Sequence, residues 1–93
     1  MEALVGKLVK STAGHDKDRI FFIYKEEGEY VYLVDGKYKT LERPKKKKKK
    51  HVEAVTVQRY SLEEKLLAGE KITNEEIKHF IRCFKREEQV VRR

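Results

Sequence analysis

The segment that most restricts how this chain can fold is Leu4 to Ile23, which reads LVGKLVKSTAGHDKDRIFFI. Two apolar runs, Leu4 to Val9 and Ile20 to Ile23, flank a polar segment, Ser11 to Arg19, that carries one glycine and charges of both signs. Leu, Val, Ile and Phe pack well on a pleated surface, while Ser11, Thr12, Gly14, Asp16 and Asp18 hydrogen-bond their own backbone or take left-handed dihedrals. The pattern reads strand, loop, strand. The loop is too short to be a domain, so its ends meet across a sheet and Lys10, His15, Lys17 and Arg19 leave one structured rim. The second run is apolar at four consecutive positions, so both of its faces need cover.

The rest of the chain bounds what can cover them. Ninety-three residues suit one domain, and 39% hydrophobic residues is lean. A small barrel helped by short helices is within reach, and a deep substrate cavity is not. Charged residues make up 42% of the chain, with 23 Lys and Arg against 16 Asp and Glu. Residues 1–60 hold 15 Lys/Arg against 9 Asp/Glu and residues 61–93 hold 8 against 7, so the excess lies in the expected sheet. Such a field attracts phosphate backbones first, and anionic membranes and acidic proteins by the same means. One cysteine, Cys83, allows no internal disulfide and fits a reducing compartment. No run resembles a signal peptide or a spanning helix, and a soluble cytoplasmic protein is expected.

In order along the chain, Leu4 to Lys10 is predicted as the first strand, with Gly6 marking a bulge or a close backbone approach. Ile20 to Lys25 is the second strand, Glu26 to Glu29 a turn, and Tyr30 to Val34 the third strand. Asp35-Gly36 has the residues of a two-residue hairpin turn, which would return Lys37 to Leu41 as the fourth strand, ended by Arg43 and Pro44. Lys45 to Lys50, six consecutive lysines, repel one another and are expected to form a mobile extended loop. His51 to Gln58 has the branched residues of a fifth strand closing on the first. Ser61 with Glu64, and Thr73 with Glu76, are capping boxes opening a helix to Gly69 and a helix from Thr73 to about Glu88. In the latter Ile77, Phe80, Ile81 and Phe84 form an apolar stripe for docking on the barrel. The tail from Val90 to Arg93 is expected to fray.

The spacing Gly6, Ser11, Gly14, Asp16 and Lys17, followed by Ile20 to Ile23, resembles a KOW motif. This is the strand-loop-strand unit of several ribosomal proteins and transcription factors. The phrase GKLVKSTAGHDKDRIFFI, supported by YVYLVDGKYKTLERPKKKKKKH, is similar to the eukaryotic- and archaeal-type large-subunit ribosomal protein fourteen family and its small stand-alone bacterial relatives, over roughly residues 4 to 52. Asp18 stands where that pattern usually has glycine, and Asp tolerates positive φ better than most residues. The resemblance implies a mainly β fold: a five-stranded SH3-like (KOW) barrel over residues 1–60 with a basic loop at 43–50, and two short α-helices over 61–93 packed on it as one compact domain. It also implies structured RNA as ligand: rRNA, the ribosome, or a tRNA-sized fold.

The residues themselves support a polyanion surface. Arg43 with Lys45, Lys46, Lys47, Lys48, Lys49 and Lys50 would run along a phosphate backbone and release counterions. Solubility and nuclear import are the competing readings of that run. The loop would add shape: Ser11, Thr12 and Gly14 admit a phosphodiester, Lys10, Lys17 and Arg19 neutralise it, and His15 stacks on a base or is an idle turn histidine. Asp16 and Asp18 are read as shaping turns. Most aromatic rings are needed as core, leaving Tyr38 or Tyr60 as exposed platforms. His79 and Cys83 share a helix face, yet two ligands make no metal site, and Cys83 reads as a half-buried structural thiol. No catalytic constellation, cofactor motif, small-molecule site or membrane segment is expected, and the chain is expected to be monomeric. The expectation is a non-enzymatic RNA-binding module. Its rival is a protein-interaction module using the barrel or the helix face, and a membrane-surface helix is a weaker rival.

Overall fold

The computed structural model describes residues 3–57 and 60–91. Its strands are β1 (Leu8–Ser11), β2 (Ile20–Glu27), β3 (Tyr30–Val34), β4 (Lys45–Lys48) and β5 (Val52–Ala54), with a 3-10 turn, Lys49–His51, between the last two. Helices α1 (Glu63–Leu67) and α2 (Asn74–Val91) follow. The strands form one antiparallel sheet in the order β4-β3-β2-β1-β5, the order of a small SH3-like barrel. Gln58, the end of the expected fifth strand, lies outside the described residues, as do Met1 and Glu2 and, in the tail, Arg92 and Arg93.

Alternation along β2 decides where each apolar side chain goes. Phe21 and Ile23 face the barrel interior with Val9, Val31 and Leu33, all buried, and Leu4, Val5 and Val52 close that cluster. Phe22 points the other way with Leu8 and Val34, into a second cluster under the helices. There α2 supplies Ile77, Phe80, Ile81 and Phe84, and Phe80 meets Phe22 edge-on at 5.9 Å between ring centroids. A fully buried aromatic or aliphatic side chain contributes about 1.5–3 kcal/mol. The two faces of β2 therefore anchor both layers, as four consecutive apolar residues require.

The helix starts follow the capping signals unequally. Thr73 and Glu76 close a full box, with the Thr73 N–H donating to Glu76 Oε1 (3.0 Å) and the Glu76 N–H to Thr73 Oγ1 (3.2 Å). Among the described residues Ser61 Oγ accepts the Glu63 N–H (3.1 Å) and not that of Glu64, and α1 is five residues long. α2 runs to Val91, beyond the expected end at Glu88 and longer than the short helix foreseen. No described helix is long and apolar enough to cross a membrane.

Three features depart from the sequence reading. β1 begins at Leu8, because Gly6 (φ 88°) occupies a turn pressed against α1, where a Cβ would lie 3.0 Å from Glu63. Asp35-Gly36 makes no two-residue hairpin, and Lys37 to Leu41 is no strand. Asp35 Oδ1 instead accepts the N–H groups of Lys37, Tyr38 and Lys39 at 2.8, 2.9 and 2.8 Å, winding residues 35–39 into a wider loop. That loop lies on the start of α2 so closely that a Cβ on Gly36 would be 2.3 Å from the Asn74 carbonyl oxygen. The fourth strand is the lysine run itself, paired with β3 through Tyr30↔Lys48, Val31↔Lys47, Tyr32↔Lys46 and Leu33↔Lys45. It is ordered backbone, and its side chains explain why.

Candidate nucleic-acid interface

A strand places alternate side chains on opposite faces. Lys45 and Lys47 stand opposite Leu33 and Val31 and so point with them toward the barrel interior. There they meet Asp16, which is buried although it belongs to the β1–β2 loop. Lys47 Nζ donates to Asp16 Oδ1 (2.5 Å), Ser11 Oγ (2.7 Å) and the Ala13 carbonyl (2.7 Å), so all three ammonium protons have acceptors. Lys45 Nζ lies 2.5 Å from Asp16 Oδ2, an ion-pair contact without hydrogen-bond alignment, and Ser11 Oγ donates to Oδ1 (2.8 Å). Burial pushes the Asp16 carboxyl up, but the two ammonium groups and the Ser11 hydroxyl outweigh it and hold the group well below the usual carboxylate range. A polar latch thus joins β4, at one end of the strand order, to the loop between β1 and β2.

A second latch lies one turn on. Lys49 Nζ is 2.9 Å from Glu26 Oε2, and Glu26 Oε1 accepts the N–H groups of Leu4 and Val5 at 2.6 and 3.1 Å. The Lys49 hydrogen bond holds the Glu26 carboxyl below its ordinary value against the opposing effect of burial. Three of the six lysines thereby have carboxylate partners within the protein, Lys45 and Lys47 sharing one. Lys46, Lys48 and Lys50 are exposed.

The outward lysines share their face with aromatic rings. Tyr32 and Tyr30 are half-buried opposite Lys46 and Lys48, and Lys46 Nζ sits 4.5 Å from the Tyr30 ring centroid. On the other side of β3, Lys25 pairs with Tyr32 and lies 5.5 Å from its ring centroid. Cations interleaved with aromatic faces are what stacking bases and flanking phosphates use. This pair of tyrosines is missed by the sequence reading, though their i, i+2 spacing beside a β-branched residue is its visible trace. Of the platforms expected instead, Tyr38 is 63% exposed. Tyr60 is half-buried against His79 and Phe80, at 4.8 and 5.7 Å between centroids.

In the loop, Thr12, Gly14, His15, Lys17 and Arg19 are exposed, as is Arg43, while Lys10 is half-buried on β1. Ser11 is fully buried within the latch and so faces no ligand. Asp16 and Asp18 do shape the turn. Asp18 takes φ 72°, the positive value for which glycine is usual, and its N–H donates to the Ser11 carbonyl (2.8 Å). His79 Nε2 lies 3.5 Å from Cys83 Sγ, and among the described residues no group of three or more His, Cys, Asp or Glu could hold a metal ion.

Compared with known proteins, the chain matches no family model and no curated sequence.

Proposed function

We propose that this chain is a cytoplasmic, non-enzymatic RNA-binding module of the KOW type that engages structured RNA such as rRNA or a tRNA-sized fold. The observation that carries the reading is the division of the lysine run by strand alternation. Lys45 and Lys47 point inward and share the Asp16 carboxylate, while Lys46 and Lys48 face outward, exposed, on a strand that this latch holds in place. Cations on a rigid surface lose less entropy on meeting a polyanion than the same cations on a mobile loop. The latch also ties that strand to the loop bearing His15, Lys17 and Arg19, so both cationic segments keep a fixed spacing. RNA is favoured over smooth duplex DNA because Tyr30 and Tyr32 offer ring faces to unpaired bases. The rival helix face is already occupied, since Ile77, Phe80, Ile81 and Phe84 are all buried against the sheet.

The test separates the two lysine classes. Replacing Lys46, Lys48 and Lys50 together by Gln is expected to leave the melting temperature nearly unchanged. It should weaken binding to every structured RNA alike and reduce the log-log salt slope by roughly two. Replacing Lys45 and Lys47 by Gln should instead destabilise the fold. Unchanged affinity and slope in the triple variant would remove the basis for the reading.

A further inference from the structure

A separate concavity lies away from the lysine strand. A groove of about 610 Å³ runs between the end of the β1–β2 loop, the 35–39 loop and α2. It is lined by the cations Arg19, Lys37, Lys78, Arg82, Lys85 and Arg86 against only two carboxylates, Asp18 and Asp35. Lys78, Arg82, Lys85 and Arg86 recur at helical spacing along about 12 Å of α2, beside its buried stripe, whose Ile81 also lines the groove. Among the described residues only Lys78 of the six has a carboxylate partner, Glu75 at 2.8 Å. At the rim stands Tyr38, with Lys37 Nζ 5.0 Å and the Arg19 guanidinium 5.5 Å from its ring centroid.

We infer that this groove is a second binding site, taking unpaired, single-stranded RNA with one base stacked on Tyr38 and its phosphates along Arg82, Lys85 and Arg86. The inference rests on the RNA-binding reading above and adds a second surface to it, the two meeting at Arg19. An exposed tyrosine framed by cations suits a nucleotide, whose base needs a flat face while its phosphate needs positive charge within a few ångströms. The site is pre-organised, because the Asp35 carboxylate ties down the N–H groups of Lys37, Tyr38 and Lys39 and Gly36 seats the loop on α2. A lipid surface would call for exposed apolar side chains beside the cations, and the apolar lining here is Ile20 and Ile81, half-buried and buried.

The test uses the full chain with three RNAs: a blunt hairpin, the same hairpin with a five-uridine unpaired tail, and free pentauridylate. The tail is expected to tighten binding about tenfold, the value of one base stack. Tyr38→Ala and the double variant Arg82→Gln/Arg86→Gln should each remove that gain and leave blunt-hairpin affinity unchanged. Lys46→Gln/Lys48→Gln should weaken both hairpins equally. A tail gain that survives in both groove variants overturns the inference. If the blunt hairpin fails to bind wild type, the reading of the lysine strand falls, and pentauridylate still decides the groove. Amide shifts over Lys37 to Lys39 and Lys78 to Arg86 uphold it, and their absence overturns it. Capture by phosphatidylserine vesicles without a pentauridylate response would assign the groove to a membrane surface and equally overturn it.

Discussion

Asp16 is the residue on which two distant segments depend. Its carboxylate is buried, and replacing it leaves two ammonium groups without their counter-charge, one of them on a side chain only 9% exposed. Removing one partner of a buried pair typically costs several kcal/mol, so Asp16→Asn is expected to destabilise the fold by about 3 kcal/mol at pH 7. Because the folded carboxyl sits below its unfolded value, the unfolded chain binds more protons between the two, and stability drops there as the pH is lowered. The contribution is complete above about pH 4 and is lost as acid titrates the folded group. Urea midpoints from pH 6 to pH 2.5 should show an acid limb in the wild type that is flatter in Asp16→Asn. Asp18 gives a contrasting residue-scale prediction, since its φ of 72° is a backbone demand rather than a charge. Asp18→Gly is expected to be neutral or slightly stabilising and Asp18→Val to cost about 1–2 kcal/mol. Thermal melts of the two variants check this. Asp16 and Asp18 were legible as turn-shapers, since short polar side chains serve turns. The ionic role of Asp16 was not, because its partner Lys47 is 31 residues away.

At the scale of elements, β4 is where local propensity is overruled. Lysine is a poor strand former and a run of six repels itself, so sequence alone favours a loop. The strand forms because β3 offers an unpaired edge and because Asp16 and Glu26 remove part of the repulsion. Limited proteolysis with trypsin should therefore cut Lys45 to Lys48 slowly in the native protein, despite the dense target sites, and much faster in Asp16→Asn. Rapid cleavage of this stretch in the wild type would show that the latch does not hold the strand. By contrast Tyr30 to Val34 was fully legible, because alternating branched and aromatic residues suit the third strand from either side. Asp35-Gly36 misled for an identifiable reason. The pair satisfies a tight hairpin turn, but the start of α2 occupies the space beside Gly36, and contact with the helix selects the wider loop.

For the whole molecule, the sheet and α2 depend on each other. Phe22, Leu8 and Val34 lie on the face that Phe80 and its neighbours cover. Phe80→Ala is expected to cost about 3–5 kcal/mol, a fall of more than about 10 °C in Tm, measurable by calorimetry. The same packing turns the cations of α2 outward, toward Arg19 and Lys37. Their gathering into one groove was hidden in a helix whose sequence carries both signs.

What the sequence determined was whatever neighbours a few residues apart can settle: the branched and aromatic runs that make strands at Ile20 to Ile23 and Tyr30 to Val34, the boxed start of α2, the apolar stripe, and the basic balance of the chain. What only the tertiary structure decided was which charges meet. Lys45, Lys47 and Lys49 have carboxylate partners, while Lys46, Lys48 and Lys50 face solvent. In the sequence those six residues are indistinguishable. Folding separates them because strand alternation sends Lys45 and Lys47 to one face, and only the tertiary fold brings Asp16 within 2.5 Å of both.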